Sequence, residues 1–461
     1  MKHGVFIEKG LSDWQIVQHK NHQADVYFAG SWQVIKDAVK IGVKDARPQI
    51  RVVSEEDNSP VIPWQEVTIH PAQDCTTGTW ETTLTIPAGG LYRIETGLVV
   101  NSTNPDFHWT FRGDTRLHVG IGDVFLIAGQ SNSAGYGKDA AFDPPELGVH
   151  LFRNRRSWDL ASHPFNESTY AADAPNAERG VSGVSPYLAF GKALKKYTHY
   201  PVGLIASAMG GMPIKQWNPD GGKLYVNMLK QTKACGEIAG VLWYQGCSNT
   251  DKKGMDGYKE KYYDIIQSFR RDLGYPVRFF TFQLNREVYS HNDEGYGTIR
   301  EIQRSACHDL EEVYVLPTLH CTLTDGIHNN AHSCIMLGEN MAKQCSHVLY
   351  GTKDFSAPEI TEAVVEGSTV TACFANVSDT LLLPDNSCEK CGFTIRDQKG
   401  AIPFSPVTAK GHTLQFQLER PAEGQMDISF AYEANPTHVP PLDSLTYLPP
   451  LSFYQVPVAK K

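Results

Sequence analysis

Five short runs, residues 124–128, 202–206, 240–244, 277–284 and 313–317, are mostly Val, Ile, Leu or aromatic and recur through the middle of the chain. Consecutive apolar positions over so few residues describe strands buried on both faces, because a half-exposed strand would alternate apolar with polar. Longer stretches of helical period separate the runs, which is the pattern of a parallel sheet covered by helices. An α/β unit over residues 119–350 is predicted.

The helices between the strands have readable ends. Ser185 and Pro186 form an N-cap and first-turn pair for a helix running through Leu188, Phe190 and Leu194 toward His199, and Pro201 stops it. Tyr258, Tyr262, Ile265, Phe269 and Leu273 share one stripe of a second helix that ends at Gly274. Shorter helices are predicted near residues 299–310 and 333–348.

At 461 residues the chain exceeds a single ordinary core, so flanking modules are expected. Residues 1–118 are rich in Thr, Val, Trp and Gly with alternating runs such as WETTLTIPAGG, and residues 351–461 return to alternation in STVTACFANV and HTLQFQLERP. Both read as β-rich domains.

Acidic residues number 51 against 42 basic, and neither sign forms long blocks, so the chain presents no field for nucleic acid or anionic lipid. The first twenty residues hold no uninterrupted apolar segment, and no stretch approaches the roughly 18 apolar residues of a membrane span. A soluble chain located in the cytoplasm, with its ten cysteines reduced, is the expectation. Cys388 and Cys391 have zinc-knuckle spacing, but no second pair follows, so no metal is predicted.

In open parallel sheets ligands bind beyond the carboxyl ends of the strands, and four such places here carry reactive sequence. After the first strand stands Gly129-Gln130-Ser131-Asn132; a serine at this turn is ordinarily only a helix cap, but it can also attack a carbonyl. After the second, Gly210 and Gly211 leave backbone N–H groups free of side-chain cover, as an oxyanion hole requires. After the third, WYQGCSN supplies the amides of Gln245 and Asn249. After the fifth, Asp325 and His328 are spaced for a carboxylate to orient an imidazole, although a lone loop histidine is usually a surface residue. The four together are the parts of an acyl-transfer site.

These residues, GQSN, GG-x-PI-x-x-W, WYQG-x-SN and D-x-x-H, resemble the SGNH hydrolases, specifically the sialate O-acetylesterase-like carbohydrate esterases. The resemblance implies a three-layer α/β/α, flavodoxin-like catalytic domain and no cofactor or metal. It implies Ser131 as nucleophile, His328 as base and Asp325 as its orienting carboxylate, with Ser131 N–H, Gly211 N–H and the Gln245 side chain as oxyanion donors. Gln130, Asn132, Tyr136, Trp217 and Asn249 are candidate substrate contacts, and the implied substrate is an acetylated saccharide, of sialic acid or of plant type. The chain departs from the family's usual pattern at Cys247, where Glu is common, and at Ser133, where Met is common; without that Glu, Asp325 carries the orienting role alone. A G-x-S-x-G elbow is absent around Ser131, and glycines 129, 135 and 137 do not form G-x-G-x-x-G, so a lipase and a dinucleotide-binding protein fit less well. A broad-specificity short-chain esterase, or a carbohydrate-binding protein that keeps the pocket without turnover, are the competing readings.

Overall fold

The computed structural model describes residues 3–73, 76–106, 108–178, 183–384 and 391–461. Six parallel strands run through the middle of the chain: β1 (His108–Gly129), β2 (Val149–Phe152), β3 (Val202–Ala206), β4 (Gly240–Tyr244), β5 (Arg278–Phe282) and β6 (Val313–Leu316). They lie in the order β2-β3-β1-β4-β5-β6, with Trp158–Leu160 antiparallel on the outer edge of β2. The order reverses between β3 and β4, on either side of β1, so the chain leaves β1 at a switch point where a crevice opens.

Alternate residues of β1 enter two different hydrophobic clusters, as the period of a strand dictates. Phe125 and Ile127 join Leu188, Phe190 and Leu194 of helix α1 (Tyr187–Thr198) and Leu337 and Met341 of α5 (Ala331–Tyr350). Val124, Leu126 and Ala128 join Leu224 and Met228 of α2 (Lys223–Cys235), Tyr262, Ile265 and Phe269 of α3 (Tyr258–Leu273), and Ile299 of α4 (Asp293–Asp309). Both faces of these strands are therefore dry, which is why their sequences do not alternate.

Helix ends follow local chemistry. Gly274, in the left-handed region, closes α3 with a bond to Arg270 O, and Asn330 caps α5 by accepting the Ser333 N–H at 2.9 Å. Helix α4 starts earlier than its apolar pattern suggests because Asn292 caps it at Gly295 N. Pro186, rather than Ser185, occupies the cap position of α1.

Residues before β1 build antiparallel strands around their own cluster of Phe28, Trp32, Trp80 and Ile94, and β1 itself runs unbroken from that region into the parallel sheet, crossing position 118. After α5, an eight-stranded sheet surrounds Phe393, Phe416, Phe430 and Phe453. Arg300 of α4, fully buried, joins this last region to the loop after β5 by donating to Ala431 O, Glu433 O, Leu284 O and Asn285 O. Spreading the guanidinium over four carbonyls offsets its desolvation, which pulls its pKa down to about 10.

Among the described residues seven cysteines, including Cys235, Cys247, Cys321 and Cys334, are free thiols, but Cys391 is disulfide-bonded, which corrects the expectation of reduced thiols throughout. Cys388 lies outside the described residues. No helix among the described residues is long and apolar enough to cross a membrane.

Candidate active site

The turn after β1 must be sharp, and Gly129 makes it: its φ is +120°, and a Cβ there would stand 2.3 Å from the Tyr244 carbonyl oxygen of β4. A single helical turn, Ser131–Ala134, follows and points Ser131 toward the loop after β6. That loop is shaped by Asp325, whose Oδ1 accepts the N–H groups of Ile327 and His328 at 3.0 and 2.9 Å. The turn folds the imidazole back onto its own carboxylate: His328 Nδ1 lies 2.8 Å from Asp325 Oδ2. A carboxylate can only accept, so Nδ1 carries the proton and Nε2 is left as an acceptor. Nε2 sits 2.9 Å from Ser131 Oγ.

Hydroxyl, imidazole and carboxylate thus touch in series, from segments 197 residues apart. Burial opposes ionisation of Asp325, but the His328 ring and the two backbone N–H groups outweigh it and hold the carboxyl well below the usual carboxylate range. Lys138 Nζ also reaches Asp325 Oδ2, at 3.2 Å.

The N–H groups of Ser131 and Gly211 donate to no acceptor among the described residues, and Gly211 is exposed. Gln245 is different, and here the structure corrects the sequence. Its side chain is fully buried, and Nε2 donates to Asn249 Oδ1 at 2.7 Å and Met212 O at 3.3 Å. Both amide hydrogens are committed, so none is left for an oxyanion.

Most of the expected substrate contacts turn inward as well. Gln130 is buried, its Oε1 accepting Gly246 N at 3.0 Å and Ser248 N at 3.3 Å, which ties the turn after β1 to the loop after β4. Asn132 brackets the histidine, accepting Asn329 N at 2.9 Å and donating to Ile327 O at 3.3 Å. Asn249 accepts Ile214 N at 2.9 Å and donates to Gly254 O at 3.2 Å. Trp217 is buried edge-on against Trp243 and cannot meet a sugar. Tyr136 alone stays beside the triad, its ring 4.8 Å from the His328 ring at 33°.

Both departures from the usual motif are structural. Ser133 donates to Ala128 O at 2.9 Å within the core, and Cys247 is a thiol whose pKa burial, and after it the charge of Glu287, pushes up to about 12. A neutral thiol of this kind is inert as a nucleophile.

Sequence reasoning missed Glu178, which accepts the Gly210 N–H at 3.0 Å, and Tyr289, a 78% exposed ring on the loop after β5 packed over Gly326. No motif marks either. A cleft of about 780 Å³ lined by Phe142, Lys192, Lys196 and Glu339 holds none of the triad.

A parallel sheet with these three side chains in series at its carboxyl edge is the arrangement that the four motifs' resemblance to the SGNH carbohydrate esterases implies. Residues 121–347 match the carbohydrate esterase, sialic acid-specific acetylesterase family. A probable carbohydrate esterase of Arabidopsis thaliana is 35% identical over 172 residues, 33% of this chain and 65% of that protein. The sialate O-acetylesterase of Pongo abelii is 27% identical over 247 residues, 40% of this chain and 44% of its own length. The chain thus spans less than two thirds of either relative. A carbohydrate acetylesterase of Xanthomonas citri shares the fold at a TM-score of 0.66 with 20% identity, covering 96% of this chain and 97% of its own.

Proposed function

We propose that the protein is a carbohydrate O-acetylesterase that removes acetyl groups from sugar hydroxyls of sialic acid or plant-type oligosaccharides. The observation that carries this reading is the unbroken Ser131–His328–Asp325 series. Ser131 Oγ attacks the acetyl carbonyl as its proton passes to His328 Nε2, and Asp325 holds the imidazole in the required tautomer and stabilises its cationic form. The oxyanion is received by the N–H groups of Ser131 and Gly211, each such donor contributing about 3 kcal/mol. Collapse breaks the bond between the acetyl carbonyl carbon and the sugar oxygen, His328 returns the proton to that leaving oxygen, and water repeats the cycle on the acetyl-serine. In this reading residues 119–350 form a three-layer α/β/α catalytic unit, with 1–118 and 351–461 as flanking β domains.

The carbohydrate part of the proposal is supported by the matched family, by the names of the relatives, and by the exposed Tyr289 ring packed over Gly326 in the Asp325–His328 turn. The test is acetate release from acetylated xylo-oligosaccharides, manno-oligosaccharides and 9-O-acetyl sialic acid, with 4-nitrophenyl acetate as a general ester. Ser131→Ala is expected to lower turnover by about 10⁴-fold or more while remaining folded. Turnover of 4-nitrophenyl acetate without any sugar ester would point instead to a broad short-chain esterase. Unchanged turnover in Ser131→Ala would end the assignment.

A further inference from the structure

Glu178 brings into the site a carboxylate that the chemistry above does not use. Its Oε1 accepts the Gly210 N–H at 3.0 Å and also the Tyr136 hydroxyl, and its Oε2 accepts Asn166 Nδ2 at 2.9 Å. Gly210 is the residue before Gly211, the second oxyanion donor. Tyr136 lays its ring along the His328 imidazole. One side chain is therefore bonded both to the turn that presents an oxyanion donor and to the ring that backs the base.

The arrangement is built rather than incidental. A Cβ at position 210 would fall 2.1 Å from Glu178 Oε1 and 2.5 Å from the Tyr136 hydroxyl oxygen, so only glycine admits the clasp. Burial first, then the bond to Glu178, raises the Tyr136 pKa, which keeps its hydroxyl a donor throughout the working range. Electrostatics alone would remove such a carboxylate, because negative charge near an oxyanion hole opposes the charge that develops there. Three donors spread that charge, and what remains is a geometric gain: the acceptor fixes two loops at once.

We infer that Glu178 is a positioning residue that sets the Gly211 N–H and the His328 ring in register with each other. The inference rests on the esterase reading. It does not make Glu178 catalytic, since the carboxylate acts through Gly210 and Tyr136.

The test uses the full chain with Glu178→Ala, Glu178→Gln, Tyr136→Phe and the double variant Glu178→Ala/Tyr136→Phe, measuring kcat and KM for 4-nitrophenyl acetate alongside thermal unfolding. A misplaced oxyanion donor costs about 10²-fold or more, so Glu178→Ala should lose about 100-fold in kcat with KM within about threefold of wild type. Glu178→Gln keeps an oxygen for the Gly210 N–H and should recover to within about tenfold of wild type, as a hydrogen-bonding role requires. Tyr136→Phe should lose about threefold, and the double variant should be no worse than Glu178→Ala, because the two groups act as one unit. Wild-type kcat in Glu178→Ala, a loss confined to KM, or additive losses in the double variant would each overturn the inference. Should Glu178→Ala not fold, the same kcat-against-KM split in Glu178→Gln and Tyr136→Phe decides it. An inactive Ser131→Ala with a fully active Glu178→Ala would sink this inference alone, whereas an active Ser131→Ala would sink the esterase reading.

Discussion

Ser131, Asp325 and His328 bond to one another through their side chains, whereas Gln130, Asn132 and Asn249, drawn from the same motifs, bond mainly to the backbone of neighbouring loops, and Gln245 bonds to Met212 O and to the Asn249 side chain. The first set forms a line ending at an open edge. The second forms a layer beneath it, each member no more than 4% exposed. Both sets are polar residues at the carboxyl ends of strands, and the motifs do not distinguish them. The difference shows how such a site is assembled: loops from four strands carry few apolar residues to pack, so buried, hydrogen-bonded amides hold them instead.

The sharpest way to break that division is to change a reactive residue without disturbing the layer. Asp325→Asn should lower kcat by about 10³- to 10⁴-fold, since the amide supports the wrong imidazole tautomer, while the protein stays folded. Stability gives a second reading of the same variant. The folded carboxyl is held below its ordinary range, so on acidification the unfolded chain takes up the proton first, and wild type should lose stability relative to Asp325→Asn as pH falls below about 4. Chemical denaturation across that range measures it. If kcat barely falls, the carboxylate belongs with the scaffold.

The converse variant attacks the layer. Gln130→Ala removes the acceptor for the Gly246 and Ser248 N–H groups, and stranding buried donors costs about 1–3 kcal/mol. Denaturant titration should show that loss, with kcat falling much less than in Asp325→Asn. An undiminished stability would mean that the two loops are held by something other than this amide.

How far the sequence could be read follows from the same physics. Apolar runs buried on both faces leave an unmistakable trace, and all five predicted strands are present, the fourth shortened to Arg278–Phe282 because Gln283 turns its amide to Ser452 and Leu284 donates to the Gln303 side chain. Strand Val149–Phe152 was not legible: it is four residues long with His150 in its middle, and its burial comes from β3 beside it. Helix Lys223–Cys235 did not stand out because its buried face includes the polar Asn227, Gln231 and Thr232, which break the apolar stripe. The Asp325–His328 contact was legible because D-x-x-H closes its own turn, a local event. The fate of Gln245 was not, since only the position of Asn249 and the Met212 carbonyl decides where its hydrogens go. Glu178 lies in no motif, and its meaning arises only where Gly210 and Tyr136 converge on it.

The smallest expected effect concerns what the open edge meets. Trp217, which the sequence offers as a sugar contact, is core; Tyr289, which it does not, stands 78% exposed. Its loop is fixed, Val288 N donating to Gly326 O and Glu287 N to Ala434 O, both at 2.8 Å. A Cβ on Gly326 would lie 2.3 Å from the ring, so the glycine of the Asp325–His328 turn is what lets the aromatic sit there. A rigid, exposed ring suits the apolar face of a pyranose, and removing it should raise KM for an acetylated oligosaccharide several-fold, on the order of 1 kcal/mol of lost contact. Ethyl acetate has no ring to stack, so its kcat/KM should be unchanged in Tyr289→Ala. Equal losses on both substrates would place Tyr289 with the buried amides as part of the scaffold, and the division between rim and layer would have to be redrawn around it.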